Sequence, residues 1–171
     1  MTRTNWCRVL PTGARFTILS PLPVEHVRER LSDAIGPMPT SLFHRHRLPF
    51  TGTIRGDSFD MVRTVRGRNS FRPWIRGTIE AAAPGTRLHG TMRLHEAVLA
   101  IMATFTVLPS LVFLRLAYEG VRSGHVDRAA PIALAVVLFM LAMTLGGFAL
   151  ESRLALRELA AVVEASHSEL R

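Results

Sequence analysis

Lysine is absent from this sequence; all twenty-one basic residues are arginine. Without lysine there is no Walker-type phosphate loop and no Schiff-base chemistry. Cys7 is the single cysteine. That excludes an intrachain disulfide and a multi-cysteine metal site, and it fits a reducing compartment. Charge is the third thing missing, but only in places: Ala97–Leu114 and Ala129–Leu150, eighteen and twenty-two residues, contain none.

What is present follows from that last gap. The chain is 48% hydrophobic with mean hydropathy +0.22, high for a protein of net charge +8. The two properties are therefore segregated. Residues 1–95 hold fifteen arginines against six acidic residues, hence +9; the remainder holds six against seven, hence −1.

The two uncharged stretches reach about 27 and 33 Å as helices, against a hydrocarbon core of roughly 30 Å. Each has ten Leu, Ile, Val or Phe residues, worth roughly 3–6 kcal/mol on an insertion scale before polar positions are counted. Joined by RLAYEGVRSGHVDR, they read as a transmembrane helical hairpin. Pro109 is placed to bend the first span, and Arg115 and Tyr118 to anchor its end. Neither span has an ionisable residue in its middle, which disfavours a proton relay or charged-substrate transporter. Ala142-x-x-x-Gly146 is a small-residue pair suited to close helix packing, against the first span or in a homodimer.

Two spans put both termini on one side. Residues 1–20 lack a signal-peptide core. Arg76, Arg87, Arg93, Arg153 and Arg157 flank the spans on that side, against Arg115, Arg122 and Arg128 on the other. The expected location is the bacterial inner membrane, with both termini cytoplasmic.

The rest reads as α+β. Residues 1–13 show no period and are expected as a flexible arm. ARFTILS (14–20) reads as a strand. PLPVEHVRERLSDAI reads as a helix that starts at prolines, carries Val24, Val27, Leu31, Ala34 and Ile35 on one face, and ends at Gly36-Pro37. LPFTGTIRGDSFDMVRTV has the alternation of a hairpin across Gly56-Asp57. WIRGTIEA and TRLHGTMRLH alternate on either side of AAPGT. The organisation expected is a cytoplasmic α+β part over 14–95, spans at 96–118 and 129–150, an external loop at 119–128, and an amphipathic helix at 151–171. That helix carries Leu156, Leu159, Val163 and Leu170 as a stripe. The open antiparallel sheet needs a cover, so the C-terminal helix is expected to pack back on it.

FTGTIRGDSFDMVR, RNSFRPWIRGTI and GTRLHGTMRLH, followed by two spans, resemble a family of uncharacterised bacterial two-span membrane proteins over residues 48–150. The resemblance implies topology and nothing catalytic. By fold analogy alone, the order strand, helix, antiparallel strands and long final helix is similar to the helix-grip fold of START-like lipid-binding proteins.

Site candidates are few. In RGRNSFRPWIRGTI (66–79), Asn69 and Ser70 are turn formers and Pro73 holds Arg72 extended. The cations around them, Arg63, Arg66, Arg68, Arg72 and Arg76, with Trp74 and Phe71 beside them, suit phosphate oxygens at a membrane surface. His44 and His46 are flanked by Arg45 and Arg47, which would repel a metal ion, so no metal or other cofactor is expected. Asp57 fits a turn, and Asp60 has no evident acid–base partner; no serine sits in a nucleophile elbow. Catalysis has no positive signal, and no recognition motif points to nucleic acid. The function expected is non-enzymatic: binding lipid headgroups or a protein partner at the membrane surface. The alternative is a START-like pocket for a hydrophobic ligand between the sheet and the final helix.

Overall fold

The structure is a computed structural model, and it describes residues 4–10, 13–37, 48–65, 69–124 and 128–164. It is mixed α+β and falls into two compact units. One comprises residues 1–94 and 148–171, the other 95–147.

The first unit is built on a seven-stranded sheet. Its strands are β1 (Thr4–Leu10), β2 (Gly13–Ser20), β3 (Ile35–Gly36), β4 (Phe50–Arg55), β5 (Ser58–Arg63), β6 (Trp74–Ala81) and β7 (Thr86–Arg93). Their order across the sheet is β1-β2-β7-β6-β5-β4-β3. All pairings are antiparallel except that of the two-residue β3 with β4. The chain crosses from β2 to the far edge through α1 (Val24–Ala34). Val27, Leu31 and Ala34 recur at the spacing of one helix face, and all three are buried.

The expected flexible arm over residues 1–13 is not what is found. Thr4–Leu10 pairs with β2 as an edge strand, with a register shift between Cys7 and Leu10. Its backbone groups are satisfied by a neighbouring strand, which requires no hydrophobic period in the segment itself. The hairpin at Gly56-Asp57 forms as read: Arg55 faces Ser58, and Gly56 takes the left-handed φ of +59° that the tight turn needs.

Strand alternation sorts the sheet into two faces. The inner face carries Phe16, Ile18, Phe50, Phe59, Met61, Ile75, Ile79, Leu88 and Met92, all buried. Gly90 faces Gly77, with Phe16 and Phe59 on the flanking strands. A Cβ on Gly90 would overlap the Arg76 carbonyl oxygen and come within 2.9 Å of the Phe16 ring. The two glycines thus leave the space that the aromatic rings occupy.

The last helix, α3 (Ala129–Glu164), is unbroken. A boundary at residue 150 was expected, but no proline interrupts the chain there, and Gly146-Gly147 alone does not stop a helix. From Phe148 onward it belongs to the sheet's unit. Phe148, Ala155, Leu156, Leu159 and Val163 are buried there, and the Val163 carbonyl accepts a hydrogen bond from Arg30 Nη1 of α1 at 3.2 Å. Leu170 lies outside the described residues.

In the second unit, α2 (Glu96–Ser123) begins at His95, whose ring accepts the Ala97 N–H, and ends at the left-handed Gly124. It runs past Leu114 and continues through Pro109. No residue of α2 is buried; Phe105, Leu108, Leu111 and Leu114 are all exposed. Both α2 and α3 are long and apolar enough to cross a membrane. A Cβ at Gly146 would meet nothing within 4 Å, so the Ala142/Gly146 pair is open.

Candidate functional site: the outer face of the sheet

The sequence grouped its cations by adjacency, and the fold separates them. Arg63 ends β5 on the inner face. Its guanidinium is bound by Glu158 at 2.6 and 2.8 Å and by Glu151 at 3.2 Å, with only 16% of its side chain exposed. Asn69 Nδ2 donates to the other Glu151 oxygen at 2.7 Å, and Asn69 Oδ1 accepts the Phe71 N–H at 3.0 Å. The Asn-Ser turn thus forms at Ser70-Phe71, and its asparagine also ties the turn to α3. Hydrogen bonding to Glu158 raises the Arg63 pKa above its already high ordinary value; burial opposes this and the two carboxylate charges add to it.

This cluster gives a stability expectation. Arg63→Met leaves Glu151, itself 12% exposed, without its cation. Removing one partner of a fully buried pair costs about 3–5 kcal/mol. Partial exposure of Glu158 discounts this to about 2 kcal/mol. Thermal unfolding of the full chain in detergent measures it, and a change under about 0.5 kcal/mol would show the cluster to be structurally idle.

The other grouped residues go elsewhere. Arg66 and Arg68 lie outside the described residues, as do His44 and His46. Arg72 Nε donates to the Asn69 carbonyl at 3.1 Å. Trp74 and Arg76 point to the outer face and share Asp60: Trp74 Nε1 bonds one carboxylate oxygen, and Arg76 Nε the other at 2.8 Å.

Sheet register then brings together arginines that are distant in sequence. Arg15 pairs with Thr91, Thr91 with Arg76, and Arg76 with Asp60. Directly opposed residues share a face, so Arg15 and Arg76 stand on one side. By the same register Arg93 lies opposite Trp74, Arg87 opposite Glu80, and Arg55 opposite Ser58, in line with Thr78 and His89. Among the described side chains, five exposed arginines (Arg15, Arg55, Arg76, Arg87, Arg93) therefore share the outer face with two acids, Asp60 and Glu80. Sequence reasoning places only Arg76 among them in the candidate site, and has Arg87 and Arg93 only as cations flanking the spans. The signal was the period of two within each strand, but using it needs the strand order.

At the centre lies a shallow concavity of about 650 Å³. Thr53, Arg55, Ser58 and Asp60 line one side, and Arg76, Thr78, His89 and Thr91 the other. Thr78 Oγ1 is 3.0 Å from His89 Nε2, and Glu80 is 3.6 Å from His89 Nδ1. This hollow is on the outer face. On the helix side, Leu31, Phe50, Met61, Ile75, Leu88 and Leu159 are fully buried. Among the described residues, no group of three or more His, Cys, Asp or Glu side chains is placed to hold a metal ion.

Comparison of the chain with protein-family models, with curated proteins and with solved structures finds no match.

Proposed function

We propose that this protein is a non-enzymatic, two-pass inner-membrane protein whose basic domain binds anionic lipid headgroups at the cytoplasmic surface. The observation that carries the reading is the five-to-two excess of arginine over acid among the described side chains on the outer face of the sheet. Guanidinium forks suit phosphate oxygens, and each cation near an anionic leaflet contributes about 1 kcal/mol. Trp74, on the same face, has the amphipathic ring favoured at headgroup depth.

The covalent chain supports the location. Only Leu94 and His95 separate β7 from α2. Two residues reach roughly 7 Å, so an α2 that spans the bilayer holds the sheet's last strand at its surface. Both termini then lie on one side, the cytoplasmic one.

Lipid retained by the full chain on detergent extraction tests the reading by native mass spectrometry. Wild-type protein is expected to retain phosphatidylglycerol in preference to phosphatidylcholine. A variant with Arg15, Arg55, Arg76, Arg87 and Arg93 all changed to glutamine is expected to lose that preference while keeping its thermal midpoint within a few degrees. Equal retention by variant and wild type would remove this function.

A further inference from the structure

The outer-face hollow has a chemistry narrower than net charge. Asp60 offsets Arg76 at 2.8 Å, and Arg55 has no hydrogen-bond or ionic partner among the described residues. The local excess is thus one positive charge. Thr53, Thr78 and Thr91 place hydroxyl groups around it.

Resting on the proposed function of this face, we infer that the concavity takes the headgroup of a monoanionic polyol phospholipid, of the glycerol type. Arg55 and the outer nitrogens of Arg76 meet the phosphodiester oxygens, where a fork geometry gives paired hydrogen bonds. The threonine hydroxyls match the donors and acceptors of the polyol hydroxyls. An aminoalcohol headgroup fits less well. Its ammonium needs a carboxylate of its own, and Asp60 is already shared by Trp74 and Arg76. A phosphomonoester would bring about −1.5 to −2 against one unbalanced arginine.

The test titrates the full chain in detergent with an equimolar mixture of phosphatidylglycerol and phosphatidylserine, counting each bound lipid by native mass spectrometry. The two lipids carry the same net charge, so diffuse attraction does not tell them apart. Wild-type protein is expected to bind phosphatidylglycerol roughly tenfold better. Arg55→Gln is expected to weaken phosphatidylglycerol roughly tenfold, the scale of one charge-assisted hydrogen bond, and to bring the ratio to one. Thr53→Val, which keeps the β-branched shape in an exposed strand position, should lower the ratio without loss of anionic preference over phosphatidylcholine. Arg87→Gln, outside the hollow, should weaken both anionic lipids alike and leave the ratio intact.

A wild-type ratio of one, or a ratio abolished by Arg87→Gln as by Arg55→Gln, overturns the assigned pocket while anionic preference over phosphatidylcholine still stands. Loss of that preference overturns the proposed function as well. If free glycerophosphoglycerol, the deacylated phosphodiester, displaces phosphatidylglycerol at equal concentration, the ligand is a soluble polyol phosphodiester and the lipid assignment falls.

Discussion

Gly90→Ala is expected to cost about 3 kcal/mol and to lower the thermal midpoint of the full chain in detergent by on the order of 10 °C. Elsewhere in a strand the same change is mildly favourable, because alanine gives up less backbone entropy than glycine. Here the new methyl meets three things at once. It overlaps the Arg76 carbonyl oxygen and lies 2.9 Å from both Gly77 Cα and Phe16 Cζ. Two of these are backbone atoms held by the pairing of β6 with β7, so they yield only if the ladder opens. Gly77→Ala should behave alike, since its Cβ would reach the Phe59 ring and come within 2.6 Å of the His89 carbonyl oxygen. Gly56→Ala supplies the contrast. It has a φ of +59° and nothing within 4 Å of a Cβ, so it carries only the left-handed penalty of roughly 1–2 kcal/mol. If Gly90→Ala were no worse than Gly56→Ala, the close packing of rings over the glycine row would be wrong.

Leu159→Ala is the second large effect. Leu159 is fully buried on the segment of α3 that shares a unit with the sheet. Deleting a buried leucine to alanine costs about 2–5 kcal/mol, more where the site cannot collapse. Leu159 is flanked by Ala155, Leu156 and Val163, all buried, and a helix anchored by Glu158 to Arg63 has little freedom to shift inward. A cost of about 3 kcal/mol is expected in the same unfolding measurement. Arg157→Ala, exposed on the opposite side of the helix, should stay within about 0.5 kcal/mol. Equal effects would mean that the C-terminal part of α3 does not complete the domain.

These two positions also mark what could be read in advance. The Leu156, Leu159, Val163 stripe stands in the sequence at helical spacing, and an open sheet needs a cover, so the fate of that segment was legible. The hairpin at Gly56-Asp57 was equally plain, because its turn chemistry is local. The glycine row was not, since it exists only once Phe16, Gly90, Gly77 and Phe59 are brought abreast from four strands. Arg63 shows the same limit from the other direction. It lies beside Arg66 and Arg68 in the chain, yet its ion partners are 88 and 95 residues away, and alternation turns it from Asp60's face to the inner one. Local periodicity tells which residues share a strand face. Pairing order decides which faces combine, and that order is set by long-range burial.

The β1 strand was missed for a related reason. An edge strand gains its hydrogen bonds from one neighbour, so it can form in a segment whose own pattern carries no signal. The continuity of α3 through residue 150 is not legible in composition, because the change from apolar to amphipathic marks a change of solvent and not a break in the backbone. A helix ends for lack of hydrogen bonds or at a proline, and neither occurs there.

Headgroup binding by the arginine-bearing domain requires that α2 and the first part of α3 cross a bilayer, with that domain on the inner side. Labelling by a membrane-impermeant maleimide tests this in cells expressing Cys7→Ser chains with one new cysteine. Arg122→Cys, exposed near the end of α2, is expected to react in intact cells. Glu25→Cys, exposed in α1, is expected to react only after permeabilisation. Equal labelling of both before permeabilisation, or the reverse pattern, would contradict the account.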